Sequence, residues 1–121
     1  MRTILLTFTL AIGMLLGSTA VMAHPPSDIQ VTLDTKTHVL NVTALHQVKD
    51  AKVHYIGEID VLINDVQVIT QKFTSQTDLD KQVASYTLID AKVGDVIKVT
   101  AKCNMFGSKT VSYTVINPEK K

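Results

Sequence analysis

The chain has a single cysteine among its 121 residues and a formal net charge of only +1, from 12 basic and 11 acidic residues. With no second cysteine there is no internal disulfide, so Cys103 is buried and inert, paired between chains, or used chemically. The balanced charge predicts no strongly basic surface that would bind nucleic acid or an anionic membrane. The chain also has no nucleophile elbow and no glycine-rich phosphate loop, which excludes the common hydrolase and nucleotide-binding templates.

The first 23 residues have the composition of a signal peptide rather than of a folded element. Arg2 provides the positive charge, Ile4–Leu16 form the apolar region, and Val21-Met22-Ala23 offers small residues at the cleavage positions. The apolar run is short for a membrane span, which needs about 20 residues. We therefore predict a signal peptide over residues 1–23, with cleavage after Ala20 as the alternative, and a secreted or periplasmic protein with no membrane segment after cleavage.

The remaining residues, 24–121, show hydrophobic alternation with a period of two, and no helix-length amphipathic run interrupts it. Asn64-Asp65 has the composition of a tight hairpin turn between two such segments. About seven short strands at this spacing predict an all-β, immunoglobulin-like antiparallel β-sandwich in one domain. The predicted core residues are Ile59, Val61, Ile63, Ile97, Val99, Val111, Tyr113 and Val115.

The cysteine and two of the histidines, which are soft and borderline metal ligands, lie at the ends of predicted strands. Cys103 and His46 each continue the inward-facing phase of the strand before them. His54 is out of phase with the strand that follows, so either a bulge at Gly57 re-aims the chain or His54 lies in the preceding loop. His38 is expected to be an ordinary exposed residue. One thiolate with several imidazoles suits iron, copper or zinc, but a cysteine in a β core is also commonly a small buried hydrophobe.

Five short motifs of the chain, in their order, resemble the iron-binding domain of superoxide reductases, also called neelaredoxins and desulfoferrodoxins. They are His24-Pro25-Pro26, His46-Gln47-Val48, His54-Tyr55-Ile56, Gly94-Asp95 and Cys103-Asn104-Met105-Phe106-Gly107. The resemblance covers essentially all of residues 24–121. The last motif of the chain has Phe106 where the family motif has a histidine. The resemblance does not extend to the four-cysteine desulforedoxin domain.

The resemblance implies a mononuclear non-haem iron site, cycling between Fe2+ and Fe3+, in an exported superoxide-reductase-like oxidoreductase. In that family four imidazoles surround the iron in a plane, a cysteine thiolate lies on the axis, and the sixth position is open for superoxide. It assigns His24, His46 and His54 as equatorial ligands and Cys103 as the axial ligand. Because Phe106 stands in the place of the fourth histidine ligand, iron retention and activity are expected to be weaker. The substrate would be superoxide or another small oxidant, whereas the electron donor and the oligomeric state are left open.

Two alternatives to this interpretation remain open. Cleavage after Ala23 would free the backbone amine of His24. An N-terminal histidine that chelates a metal through its amine and its ring favours copper. The protein would then be a copper- or other metal-binding module without turnover. Phe106 could instead cover the site as an apolar lid over an inert Cys103. The chain would then be a structural immunoglobulin-like domain with a decayed metal site.

Overall fold

The computed structural model describes residues 23–118, and every regular element within this range is a β-strand. The predicted signal peptide lies outside the described residues except for Ala23. No helix in the described range is both long and apolar enough to cross a membrane.

Seven strands form two antiparallel sheets that pack face to face. The first sheet has the order β1-β2-β5 and the second has the order β4-β3-β6-β7. The strands are β1 (Asp28–Asp34), β2 (Val39–Leu45), β3 (Ile56–Ile63), β4 (Val66–Lys72), β5 (Lys81–Thr87), β6 (Val96–Cys103) and β7 (Ser108–Thr114). This arrangement confirms the predicted immunoglobulin-like β-sandwich of seven strands.

The core lies between the two sheets and is formed by the alternating inward residues of the central strands. Leu40 and Val42 of β2 face Ile59 and Val61 of β3, and all four side chains are fully buried. Of the predicted core residues, five are buried: Ile59, Val61, Ile97, Val99 and Val115. Three are only partly buried and pack against the core from edge strand β7 or from the hairpin end of β3: Ile63, Val111 and Tyr113.

The hairpin between β3 and β4 turns at the predicted dipeptide. Asn64 and Asp65 have φ values of 49° and 67°, the left-handed pair that a type I′ turn requires. The Asn64 side chain also accepts a hydrogen bond from the Val96 amide at 3.0 Å and donates to the Asp95 carboxylate at 3.0 Å. The turn is therefore joined to the start of β6 as well as to its own hairpin.

Candidate metal centre

Three imidazoles meet at one end of the sandwich. His24 precedes β1, His46 follows β2 and His54 precedes β3, and these three points lie at the same end because the strands are antiparallel. One nitrogen from each of the three rings lies within 4.8 Å of the others. Their ring centroids are 4.6, 4.7 and 5.1 Å apart. His46 and His54 are buried and His24 is half-buried.

Cys103 lies at the same end, as the last residue of β6. It is a free, buried cysteine whose Sγ is 3.1 Å from Nε2 of His54. Metal bonds of about 2.0–2.1 Å to nitrogen and 2.3 Å to sulfur, at a right angle to each other, place the two donor atoms about 3.1 Å apart. The observed spacing therefore fits an imidazole and a thiolate that share one ion.

His46 enters the cluster because the phase of β2 continues beyond the last residue of the strand. Leu40, Val42 and Ala44 alternate inward along β2 and are fully buried. The His46 amide then donates to the Asp80 carbonyl at 2.8 Å, which extends the pairing alongside β5 by one step. His46 keeps the inward phase and is only 1% exposed.

His54 enters the cluster through a bulge in the strand that follows it. Ile56 pairs with Cys103, whereas Glu58 pairs with Lys102, so one residue of β3 near Gly57 has no opposite partner on β6. The extra residue reverses the alternation, and Ile56 and Ile59 both face the core. His54, two residues before Ile56, therefore points inward from the loop, so both of the predicted explanations for its phase apply.

Asn104 joins the loop of His54 to the strand end that carries Cys103. Its side chain accepts from the Tyr55 amide at 2.9 Å and donates to the Val53 carbonyl at 3.0 Å, on either side of His54. Its own amide donates to the Tyr55 carbonyl at 2.9 Å. The three bonds hold the backbone on both sides of His54 against the residue that follows Cys103, which explains the short distance between the two side chains.

The segment of His24 packs against the loop that follows Cys103. A Cβ at position 107 would lie only 2.8 Å from the Pro25 nitrogen, and Gly107 has φ of 96°. The His24 ring lies with Nε2 at 2.9 Å from the Gln47 carbonyl and Nδ1 at 3.0 Å from the Pro25 carbonyl. Gly107 thus permits the close backbone contact that brings the first motif to the last.

Gln76 contacts the site although the sequence did not single it out. This residue is 6% exposed, and its Oε1 lies 2.8 Å from Nδ1 of His46. Gln76 belongs to the polar segment between β4 and β5, and nothing in the sequence distinguishes it there from the exposed residues around it. Asn104 lies in the last of the five motifs, but its bonds to the His54 loop were not predicted.

The electrostatics of the cluster favour a neutral His54 ring. Burial lowers the pKa of His54, and the nearby His46 and His24 lower that pKa further. A neutral ring has a nitrogen lone pair, which is the form that binds a metal. The three imidazoles lie close enough to one another to hold one first-row transition ion, and the Cys103 thiol lies beside the His54 ring.

The two remaining candidate residues lie outside this cluster. His38 lies at the opposite end, beside the β1–β2 turn, and is half-buried rather than exposed as expected. Phe106 is 74% exposed and does not cover the site as the predicted lid would. Neither residue adds a ligand to the group of His24, His46 and His54.

No family model and no curated protein matches the chain. Among solved structures, the chain is similar to the superoxide reductase (1Fe-SOR) from Giardia intestinalis, with a TM-score of 0.58 and 16% sequence identity. The match covers 75% of this chain and 99% of the other. The chain has a superoxide-reductase-like fold. At this identity the likeness establishes the fold alone, and the function has to be argued from the site.

Proposed function

We propose that the protein binds one non-haem iron ion through His24, His46, His54 and Cys103 and reduces superoxide weakly. The observation that carries this proposal is the meeting of one thiol and three imidazoles at one end of a superoxide-reductase-like fold, with Sγ and Nε2 of the nearest pair 3.1 Å apart. Packing alone gives no reason for four such side chains to converge.

Two arguments support iron over the other ions that this donor set accepts. Imidazole with thiolate suits iron, copper or zinc, so the ligand types alone do not choose among them. The similar solved structure is a one-iron superoxide reductase, and the histidine and cysteine motifs of this chain resemble that family. We take iron as the resident ion on this basis.

Bound ferrous iron would supply the single electron that converts superoxide, with two protons, into hydrogen peroxide, and a reduced one-electron carrier would return it to the ferrous state. The chain contributes the environment for this step. Burial favours the neutral His54 ring, and the Cys103 thiolate would donate electron density to a bound ion, as cysteine does in haem enzymes. Phe106 provides no fourth imidazole, so we expect iron to be held less firmly and activity to be low.

We also propose that the protein acts outside the cytoplasm. The support is the signal-peptide composition of residues 1–23. Sequencing the N-terminus of the protein recovered from its producing cells tests this and distinguishes cleavage after Ala23 from cleavage after Ala20.

The decisive experiment loads that purified protein with Fe2+ without oxygen, measures bound metal, and then oxidises it. We expect one iron per chain and a visible thiolate-to-iron absorption band that Cys103→Ser abolishes, because oxygen is a much poorer donor. His46→Ala should lose most iron binding, and His38→Ala is the matched control because His38 lies at the other end of the sandwich.

Two results would count against the proposal. One is a folded protein that takes up no stoichiometric iron, and the other is equal loss of iron from His38→Ala and His46→Ala. Stoichiometric copper in the recovered protein would instead favour the copper-binding alternative. Consumption of superoxide by the iron-loaded protein, compared with that by Cys103→Ser, tests the activity separately from the binding.

A further inference from the structure

The Gln76 side chain is buried beside the cluster and has four polar contacts. Its Nε2 lies 2.7 Å from the His46 carbonyl and 2.9 Å from the Asp78 carbonyl. Its Oε1 lies 3.2 Å from the Ile56 amide nitrogen and 2.8 Å from Nδ1 of His46. The Gln76 main chain is also held, because its amide donates to the Ala51 carbonyl at 2.9 Å.

These partners determine which end of the amide is oxygen. The two carbonyls of His46 and Asp78 only accept hydrogen bonds, so the group between them is the NH2. The Ile56 amide only donates, so the group beside it is the oxygen. Exchanging the two ends would place an oxygen against two carbonyls and an NH2 against an N–H.

The orientation of Gln76 determines the tautomer of His46 in turn. An amide oxygen has no proton to donate, so the 2.8 Å contact requires the proton on Nδ1 of His46. In the neutral ring the lone pair is then on Nε2, the other ring nitrogen. A histidine that binds a metal commonly donates its second N–H to an oxygen in this way.

The other ring nitrogen of His46, Nε2, also lies beside an acceptor. This atom lies 3.1 Å from the His24 carbonyl oxygen. A lone pair that faces a carbonyl oxygen is unfavourable, since both atoms are acceptors. In the metal-free neutral ring the two contacts compete for one proton, and the contact at Nδ1, at 2.8 Å, is shorter than the contact at Nε2, at 3.1 Å, so we expect the proton on Nδ1.

We propose that Gln76 is a positioning residue of the site, which holds His46 as the Nδ1–H tautomer and so presents the Nε2 lone pair to the metal ion. The inference rests on the proposed function for the identity of that ion, but the tautomer itself is a property of the metal-free protein. Gln76 also joins His46 to Ile56, two residues beyond His54, and so ties together the backbone segments that carry two of the imidazoles.

The test compares Gln76→Met with Gln82→Met in the protein as recovered from its producing cells. Methionine matches the length of glutamine but offers Nδ1 of His46 no good acceptor. Gln82 is an equally buried amide whose side chain accepts from the Thr77 amide and donates to the Val83 carbonyl, with no hydrogen bond to His46. The control therefore loses buried hydrogen bonds in the same loop, at Thr77 beside Gln76, but keeps the contact between Gln76 and His46.

The first readout is the nitrogen-15 NMR spectrum of the metal-free histidine rings at pH 8, where an ordinary imidazole, with a pKa of about 6.5, is neutral. We expect His46 as the Nδ1–H tautomer in the parent and in Gln82→Met. In Gln76→Met we expect a shift to the Nε2–H tautomer, which can donate to the His24 carbonyl. A purely structural role of Gln76 would not change the tautomer.

The second readout is Fe2+ affinity, measured without oxygen by competition with a chelator. Partners of metal-bound histidines typically contribute about 10–100-fold to metal affinity, and we expect a loss of that size for Gln76→Met and none for Gln82→Met. In Gln76→Glu one oxygen still accepts from Nδ1–H and from the Ile56 amide. The other lies against the His46 and Asp78 carbonyls and should carry a proton that donates to one of them, so the variant should keep the tautomer. This variant decides the question if Gln76→Met does not fold.

Failure of this inference is distinguishable from failure of the proposed function. The inference is overturned if the parent shows His46 as the Nε2–H tautomer, or if folded Gln76→Met keeps the Nδ1–H tautomer and the parent iron affinity. It is also overturned if Gln76→Glu loses the Nδ1–H tautomer. A parent that binds no Fe2+ refutes the proposed function, whereas iron binding that is unaffected by Gln76→Met refutes only the role of Gln76.

Discussion

Replacing Gly107 by alanine tests whether the packing of the first motif on the last assembles the site. Gly107 has φ of 96°, and an added Cβ would lie 2.8 Å from the Pro25 nitrogen and 3.0 Å from its Cδ. Gly94 has a nearly identical φ of 92°, but an added Cβ there would meet nothing within 4 Å. Gly94→Ala is therefore a control that shares the backbone strain and lacks the collision.

The expected magnitudes follow from that difference. A non-glycine residue in the left-handed region costs about 1–2 kcal/mol, and the stiffer unfolded chain offsets about 0.4–1 kcal/mol of this cost. Gly94→Ala should thus lower the free energy of unfolding by about 1 kcal/mol. Gly107→Ala adds the cost of forcing an atom into filled space, about 1–3 kcal/mol, for a total of about 2–4 kcal/mol.

Urea denaturation of the metal-free proteins measures the two changes, and Fe2+ competition measures their effect on the site. Because Pro25 follows His24 directly, displacing it should move His24 and weaken iron binding in Gly107→Ala. Iron affinity should be unchanged in Gly94→Ala. Equal destabilisation of the two variants, or parent-like iron affinity in a destabilised Gly107→Ala, would refute the reasoning.

Three further predictions concern single side chains. Phe106→His should tighten Fe2+ binding and raise superoxide consumption, because it restores the imidazole of the motif; Met105→His, one position away, is the control and should do neither. Asn104→Ala should weaken Fe2+ binding in chelator competition, since it frees the backbone on both sides of His54; unchanged affinity would show that the loop is held by other contacts. Burial, with a smaller effect from Asp60, raises the pKa of Tyr86 to about 12, and the buried hydroxyl has no hydrogen-bond partner within residues 23–118. The folded protein therefore keeps the Tyr86 proton between pH 10 and 12 while the unfolded chain loses it, so stability falls as the pH rises through that window. Tyr86→Phe should remove this pH-dependent loss of stability. It should also raise the free energy of unfolding at pH 8, measured in urea, by about 1 kcal/mol.

Local alternation was enough to predict most of the fold. Side chains on a strand alternate between faces, so the phase of Leu40 and Val42 already placed His46 inward, and the phase of Val99 placed Cys103 inward. The hairpin at Asn64-Asp65 was also predictable, because the tight turn needs residues that tolerate positive φ. These features depend on residues that are neighbours in the chain.

The position of His54 shows where this local reasoning stops. The sequence left two explanations open, a bulge at Gly57 or a place in the loop, and the structure shows both. The bulge is a property of how β3 pairs with β6. The close approach of Asn104 to Gly57, where an added Cβ would lie 3.1 Å from the Asn104 Cβ, joins residues that are far apart in the sequence.

The sequence by itself determined the alternation that builds a β-sandwich and the residue types that suit a transition metal. Tertiary structure alone decided that His24, His46, His54 and Cys103 meet at one end, that Phe106 is exposed, and that a glutamine from a polar loop is buried against His46. The physical reason is that alternation is set by each strand's own backbone, whereas hydrogen bonds and close contacts across the sandwich form only once its sheets and loops are brought together.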